Sequence, residues 1–139
     1  MRRGDVWWAF VGEKCLIVLL SGDEDLELRA IQIVAPATAP EKHGFVVLSG
    51  EQAADPGVMR QVIASAGPGV GGVAIEVDVG AWEGLTHGGV VRVGLPREDR
   101  IFCTWLVTLT QQSLAEKAGE LSPATLDQLA NALRLARME

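Results

Sequence analysis

His87 stands in the run Thr86-His87-Gly88-Gly89, and an imidazole titrates in the range that suits proton transfer near neutrality. The plainer reading is a loop histidine in solvent. Cys15 and Cys103 lie far apart in apolar runs. They make no C-x-x-C pair and no cluster with His43 or His87, so the spacing predicts two reduced, buried thiols rather than a metal site. Gly67-Pro68-Gly69-Val70-Gly71-Gly72 has the glycines of a phosphate-binding loop but not its Gly-Lys-Ser/Thr ending, and reads better as a helix-to-strand connection. Trp7, Trp8, Trp82 and Trp105 could each stack a nucleobase or fill a core. Neighbouring residues of a strand face opposite ways, so one of Trp7 and Trp8 belongs inside and the other near a surface.

The elements that must position these residues are mostly strands. Val6–Val11 and Lys14–Leu20 are β-rich runs, and Ala30–Val34 is a third that ends at Ala35-Pro36. Ser21 to Asp25 is a polar, acidic turn. Asp55 before Pro56, with apolar residues at 58, 59, 62 and 63 and Gly67 beyond, predicts a helix over 55–66. Val73–Val79 alternates apolar and acidic residues and reads as a half-exposed strand; 90–93 and 101–109 are two more. Ser113-Leu114-Ala115-Glu116 has the capping-box spacing, which predicts a short helix stopped by Gly119. Ser122-Pro123 opens a longer helix with Leu126, Leu129 and Leu133 on one face.

The 139 residues carry a net charge of −6, with 48% hydrophobic and 22% charged residues. That balance excludes intrinsic disorder and fits a single domain. Cys15 to Leu20 is the longest apolar stretch, too short to span a bilayer, and Asp5, Glu13 and Lys14 interrupt any secretory signal, so a cytoplasmic protein is expected. A surplus of acid argues against nucleic-acid binding through a broad basic face, though not against a local basic groove.

Arg3-Gly4-Asp5-Val6-Trp7-Trp8 followed by an apolar strand resembles the opening of the MazF/PemK/Kid toxins. Three further blocks agree in order: Val34-Ala35-Pro36-Ala37-Thr38; Gly84-Leu85 with Gly89-Val90-Val91-Arg92; and Thr108-Leu109, Gly119-Glu120-Leu121 and the closing Leu-rich helix. Phe45-Val46-Val47-Leu48-Ser49-Gly50 offers an alternative register for the middle strand. The resemblance covers most of 1–139 as one domain, with added segments at about 40–72 and 95–103. It implies a β-rich α+β fold, a small half-open SH3-like barrel of the MazF/CcdB type with short helices and a C-terminal helix.

The resemblance further implies a homodimeric endoribonuclease that needs no metal or other cofactor. Such a toxin cuts single-stranded RNA by 2′-hydroxyl attack, which leaves 2′,3′-cyclic phosphate ends and arrests growth. A cognate antitoxin would fill the RNA groove, and toxin and antitoxin together would bind DNA. Carried over residue by residue, Thr38 becomes a phosphate donor, Lys14 stands where many members have an arginine, and Arg92 matches the arginine of the Kid branch. Arg3, Trp8, Glu13 and His87 become RNA-binding residues. Two positions depart from the pattern. Lys14 lacks the guanidinium fork and is followed by Cys15 rather than proline. Gly94 stands where the Kid branch has a carboxylate, which leaves Glu13, Asp5 or His87 as substitutes for a base. The alternative function is a binding module of the same fold, catalytically weak or inactive. A gyrase-poisoning relative of the CcdB type finds no match in residues 134–139.

Overall fold

A computed structural model describes residues 2–21, 27–40, 45–66, 72–80, 89–95 and 106–136. His43, Trp82, His87, Cys103 and Trp105 lie outside them, as do the acidic turn at 22–25 and the glycine run at 67–71. Strands β1 (Asp5–Val11) and β2 (Glu13–Leu19) form an antiparallel hairpin that turns at Gly12, whose φ of 77° is a left-handed conformation natural to glycine. Strands β3 (Leu28–Gln32), β7 (Leu106–Leu109) and β8 (Leu114–Glu120) complete a five-stranded sheet in the order β7-β3-β2-β1-β8. A second sheet holds β4 (Phe45–Ser49), β5 (Gly72–Val79) and β6 (Gly89–Leu95) in sequence order. In it β4 and β5 run parallel, so the chain must cross over between them. It does so through two helices, α1 (Gly50–Ala53) and α2 (Pro56–Ser65).

Alternation on both sheets builds one main core. Val6, Leu16, Val18 and Ile31 point into it from the five-stranded sheet, and Val73, Ile75, Val77, Val91 and Val93 from the three-stranded sheet. The C-terminal helix α3 (Pro123–Leu135) closes it with Leu129, Ala132 and Leu133, and Asn131 Nδ2 ties that helix to the Ala53 carbonyl at 3.0 Å. Each fully buried leucine or isoleucine contributes about 1.5–3 kcal/mol. The opposite face of the larger sheet carries a second cluster around Ile17, Leu19, Leu28 and Ala30.

The helices begin where the caps predict. Asp55 Oδ1 accepts from the N–H groups of Gly57 (2.9 Å) and Val58 (3.3 Å) at the start of α2, and Ser122 Oγ accepts from the Thr125 N–H at 3.2 Å at the start of α3. Residues 113–119 differ from the expected helix. After a 3₁₀ turn at Gln111–Ser113, residues 114–120 extend as β8 beside β1, with Val6 opposite Gly119 and Trp8 opposite Glu116. The open edge of β1 offers this segment a ladder of backbone hydrogen bonds, and that tertiary pairing overrides the local capping signal.

Candidate active site

The 33–38 segment joins the two sheets. Beyond β3, the Ile33 N–H donates to the Leu16 carbonyl at 3.0 Å. Val34 then exchanges both backbone hydrogen bonds with Val90 of β6, at 2.9 and 2.8 Å. Gly89 permits this approach, since a Cβ there would lie 2.7 Å from Ile33 Cγ2 and 2.8 Å from the Val34 carbonyl oxygen. Pro36 cannot donate to a ladder, and the chain leaves the pairing and crosses the outer face of the smaller sheet. There Ala37 is buried against Ala74, with Phe45 and Val47 packed beside them.

A buried ion pair braces that crossing. Arg92 and Glu76 are cross-strand partners on β6 and β5, and both are nearly inaccessible to solvent. Arg92 Nε donates to Glu76 Oε2 at 3.0 Å, and Arg92 Nη2 donates to the Ala35 carbonyl at 3.0 Å. Glu76 Oε2 also accepts from the Ala37 N–H at 2.9 Å. One arginine and one glutamate thus fix the backbone on both sides of Pro36, and the next residue beyond the brace is the exposed Thr38.

Lys14 and Trp8 meet on the neighbouring hairpin. The Lys14 ammonium stands 5.3 Å from the centre of the Trp8 ring, a cation–π distance, and 3.7 Å from Glu116 Oε1. Lys14 lies on the face of β2 that also carries Leu16 and Val18, two residues from the carbonyl that receives Ile33. It therefore lies near the start of the 33–38 segment. Trp7 points the other way into the second cluster, where its indole Nε1 is buried and meets no hydrogen-bond partner among the described residues. The two tryptophans thus divide between the faces as expected.

The other sequence-derived candidates scatter. Glu13 lies on the face of β2 that carries Cys15 and Ile17, opposite to Lys14. Arg3 precedes Gly4, whose N–H bonds the Leu19 carbonyl, so it stands at the far end of the hairpin, roughly 15–20 Å of strand from Lys14. Asp5 is buried, accepts the Arg2 N–H at 2.8 Å and faces Lys117 Nζ at 3.7 Å, so its carboxylate holds the N-terminal turn. Lys117 also donates to Glu120 at 2.7 Å. That bond raises the Lys117 pKa and lowers that of Glu120, but both groups are exposed and the pair adds little stability. Partial burial, and the nearby Glu13 charge, push the Cys15 thiol upward, away from the reactive thiolate. Among the described residues no three His, Cys, Asp or Glu side chains come together as a metal would require, and no helix is long and apolar enough to cross a membrane.

Sequence reasoning missed Glu76. Its alternation with Ile75 and Val77 reads as a solvent-facing position, which ignores the 35–37 segment that covers it. The available signal was Arg92, a strand arginine that needs a counter-charge once buried.

No family model and no curated protein sequence matches this chain. Among solved structures it is similar to an endoribonuclease in complex with its cognate antitoxin from a mycobacterial species. The TM-score is 0.52 with 18% identity over 99% of this chain and 92% of that one. A second mycobacterial endoribonuclease gives a TM-score of 0.51 with 15% identity over 99% of this chain and 90% of that one. The chain has the fold of these endoribonucleases. The β-rich α+β architecture with short helices and a C-terminal helix that the ordered motifs implied is therefore present.

Proposed function

We propose that this chain is a MazF/PemK-type toxin, an endoribonuclease that cuts single-stranded RNA without a metal ion. In this reading it works as a homodimer in the cytoplasm, is neutralised by a cognate antitoxin, and binds DNA together with it. The observation that carries the reading is the end-to-end likeness of fold to endoribonucleases, one of them held by an antitoxin, joined to an exposed threonine on a braced backbone. The reaction needs donors for the charge that builds on the phosphoryl oxygens. Thr38 supplies a hydroxyl and Lys14 a positive charge, while the Trp8 ring offers a surface for a base. Arg92 contributes by fixing the segment that carries Thr38. Arg3, at the far end of the hairpin, and Glu13, on the opposite face of β2, are RNA-contact candidates away from this site, and His87 is a further candidate that lies outside the described residues.

The reading of an inactive binding module is favoured by a specific observation: Arg92 is engaged with Glu76 and Ala35, and Gly94 brings no carboxylate beside it. Induction of the chain in growing bacteria separates the two. A ribonuclease toxin arrests growth while bulk messenger RNA shortens. Normal growth at high, folded protein levels would point to the binding module.

A further inference from the structure

The resemblance implies a carboxylate two residues past the arginine on its own strand, and here that position is Gly94. A sheet offers a second place beside the same arginine. A residue at i+2 on one strand and the directly opposed residue of the next strand flank a given side chain on the same face. Glu76 is opposite Arg92 on β5, just as Ala74 is opposite Gly94. The guanidinium thus has its carboxylate neighbour, delivered from the adjacent strand.

The geometry of that carboxylate is uneven. Both of its hydrogen bonds fall on Oε2, one from Arg92 Nε and one from the Ala37 N–H. Oε1 makes no hydrogen bond among the described residues, and an ionised carboxylate oxygen retains acceptor capacity. Glu76 also lines an open cleft of about 210 Å³ with Val47, Ser49, Gln52 and Asp78. The same glutamate is anchored by one oxygen and, though mostly buried, forms part of the wall of that cleft, and Thr38 follows directly on the residue bonded to it.

We propose that Glu76 accepts the proton of the attacking 2′-hydroxyl, which rests on the ribonuclease reading above. In that step Glu76 Oε1 takes the 2′-hydroxyl proton as the 2′-oxygen forms its bond to phosphorus. The bond from phosphorus to the 5′-oxygen breaks, and the departing oxygen takes a proton from water. The proton on Glu76 then returns to the hydroxide so formed, which restores the carboxylate. Thr38 and Glu76 flank one nucleotide, the first bonded to the phosphate and the second to the sugar hydroxyl.

The test compares wild type, Glu76→Gln and Glu76→Asp on a single-stranded RNA oligonucleotide spanning a mapped cut, in EDTA, from pH 5 to 9. RNA binding is followed by fluorescence anisotropy and folding by thermal melting. Glutamine keeps the shape and an acceptor for the Ala37 N–H but cannot take the proton. Glu76→Gln is expected to cut about 10²–10⁴ times more slowly, the usual range for losing a general base, with RNA binding within threefold of wild type. Cutting less than thirtyfold slower, or a loss matched by an equal loss of binding, overturns the proposal. If Glu76→Gln does not fold, Glu76→Asp decides. A lowered kcat at unchanged KM, with the acid limb of the pH–rate profile retained, supports the proposal, and an unchanged kcat overturns it. A folded wild type that leaves RNA intact brings down the ribonuclease reading and this proposal together, whereas an active wild type with an equally active Glu76→Gln removes this proposal alone.

Discussion

Replacing Arg92 with alanine is expected to lower the unfolding free energy by about 3–5 kcal/mol, the range found when one partner of a buried ion pair is removed. The loss has two sources. Glu76 remains in the sheet with its charge uncompensated, and the Ala35 carbonyl loses its donor. For a domain whose whole stability is about 5–15 kcal/mol, this is a large fraction. Urea unfolding of the single variant measures it. A second variant carrying both Arg92→Met and Glu76→Leu should recover most of the lost stability, because no charge is then left unpaired. Its RNA cleavage should stay low, because the 35–37 backbone is still unbraced and the proposed proton acceptor Glu76 is gone. A single-variant loss below about 1 kcal/mol would show that the pair does not carry the brace.

The second large effect is expected at Thr38. The side chain is exposed, so Thr38→Ala should shift stability by about 0.5 kcal/mol or less. If its hydroxyl donates to the scissile phosphate, cleavage should fall about 10²–10³-fold, the usual effect of removing one donor to a developing oxyanion. Thr38→Ser retains the hydroxyl and should keep most of the activity. The measurement is kcat and KM for both variants on one RNA oligonucleotide. Full activity in Thr38→Ala would remove Thr38 from the site.

These two residues show what could be read from the sequence. The alternation on β1, β2, β5 and β6 and the caps at Asp55 and Ser122 are local signals, and the elements formed where those signals lie. The 113–119 segment was misread because its partner, β1, is more than 100 residues away, and no local pattern records that an open edge is waiting for it. The site divides in the same way. Thr38 and Lys14 were reached through motif resemblance, and the structure leaves Thr38 exposed just beyond the braced 35–37 backbone and Lys14 over the Trp8 ring. The surroundings of Arg92 were not legible because burial is a tertiary property: an exposed strand arginine and a buried brace have the same sequence until the 35–37 segment folds over the sheet. Glu76 was hidden for the same reason. The acidic net charge also takes on a local meaning, since among the described residues Arg92 and Lys14 each stand beside a glutamate.

The most direct measurement incubates the purified chain with a long single-stranded RNA in excess EDTA and maps both ends of every fragment. Attack by the neighbouring 2′-hydroxyl predicts discrete cuts at a short recurring sequence, each with a 2′,3′-cyclic phosphate upstream and a 5′-hydroxyl downstream. Intact RNA in the presence of folded protein, or fragments bearing 3′-hydroxyl and 5′-phosphate ends, would contradict the account.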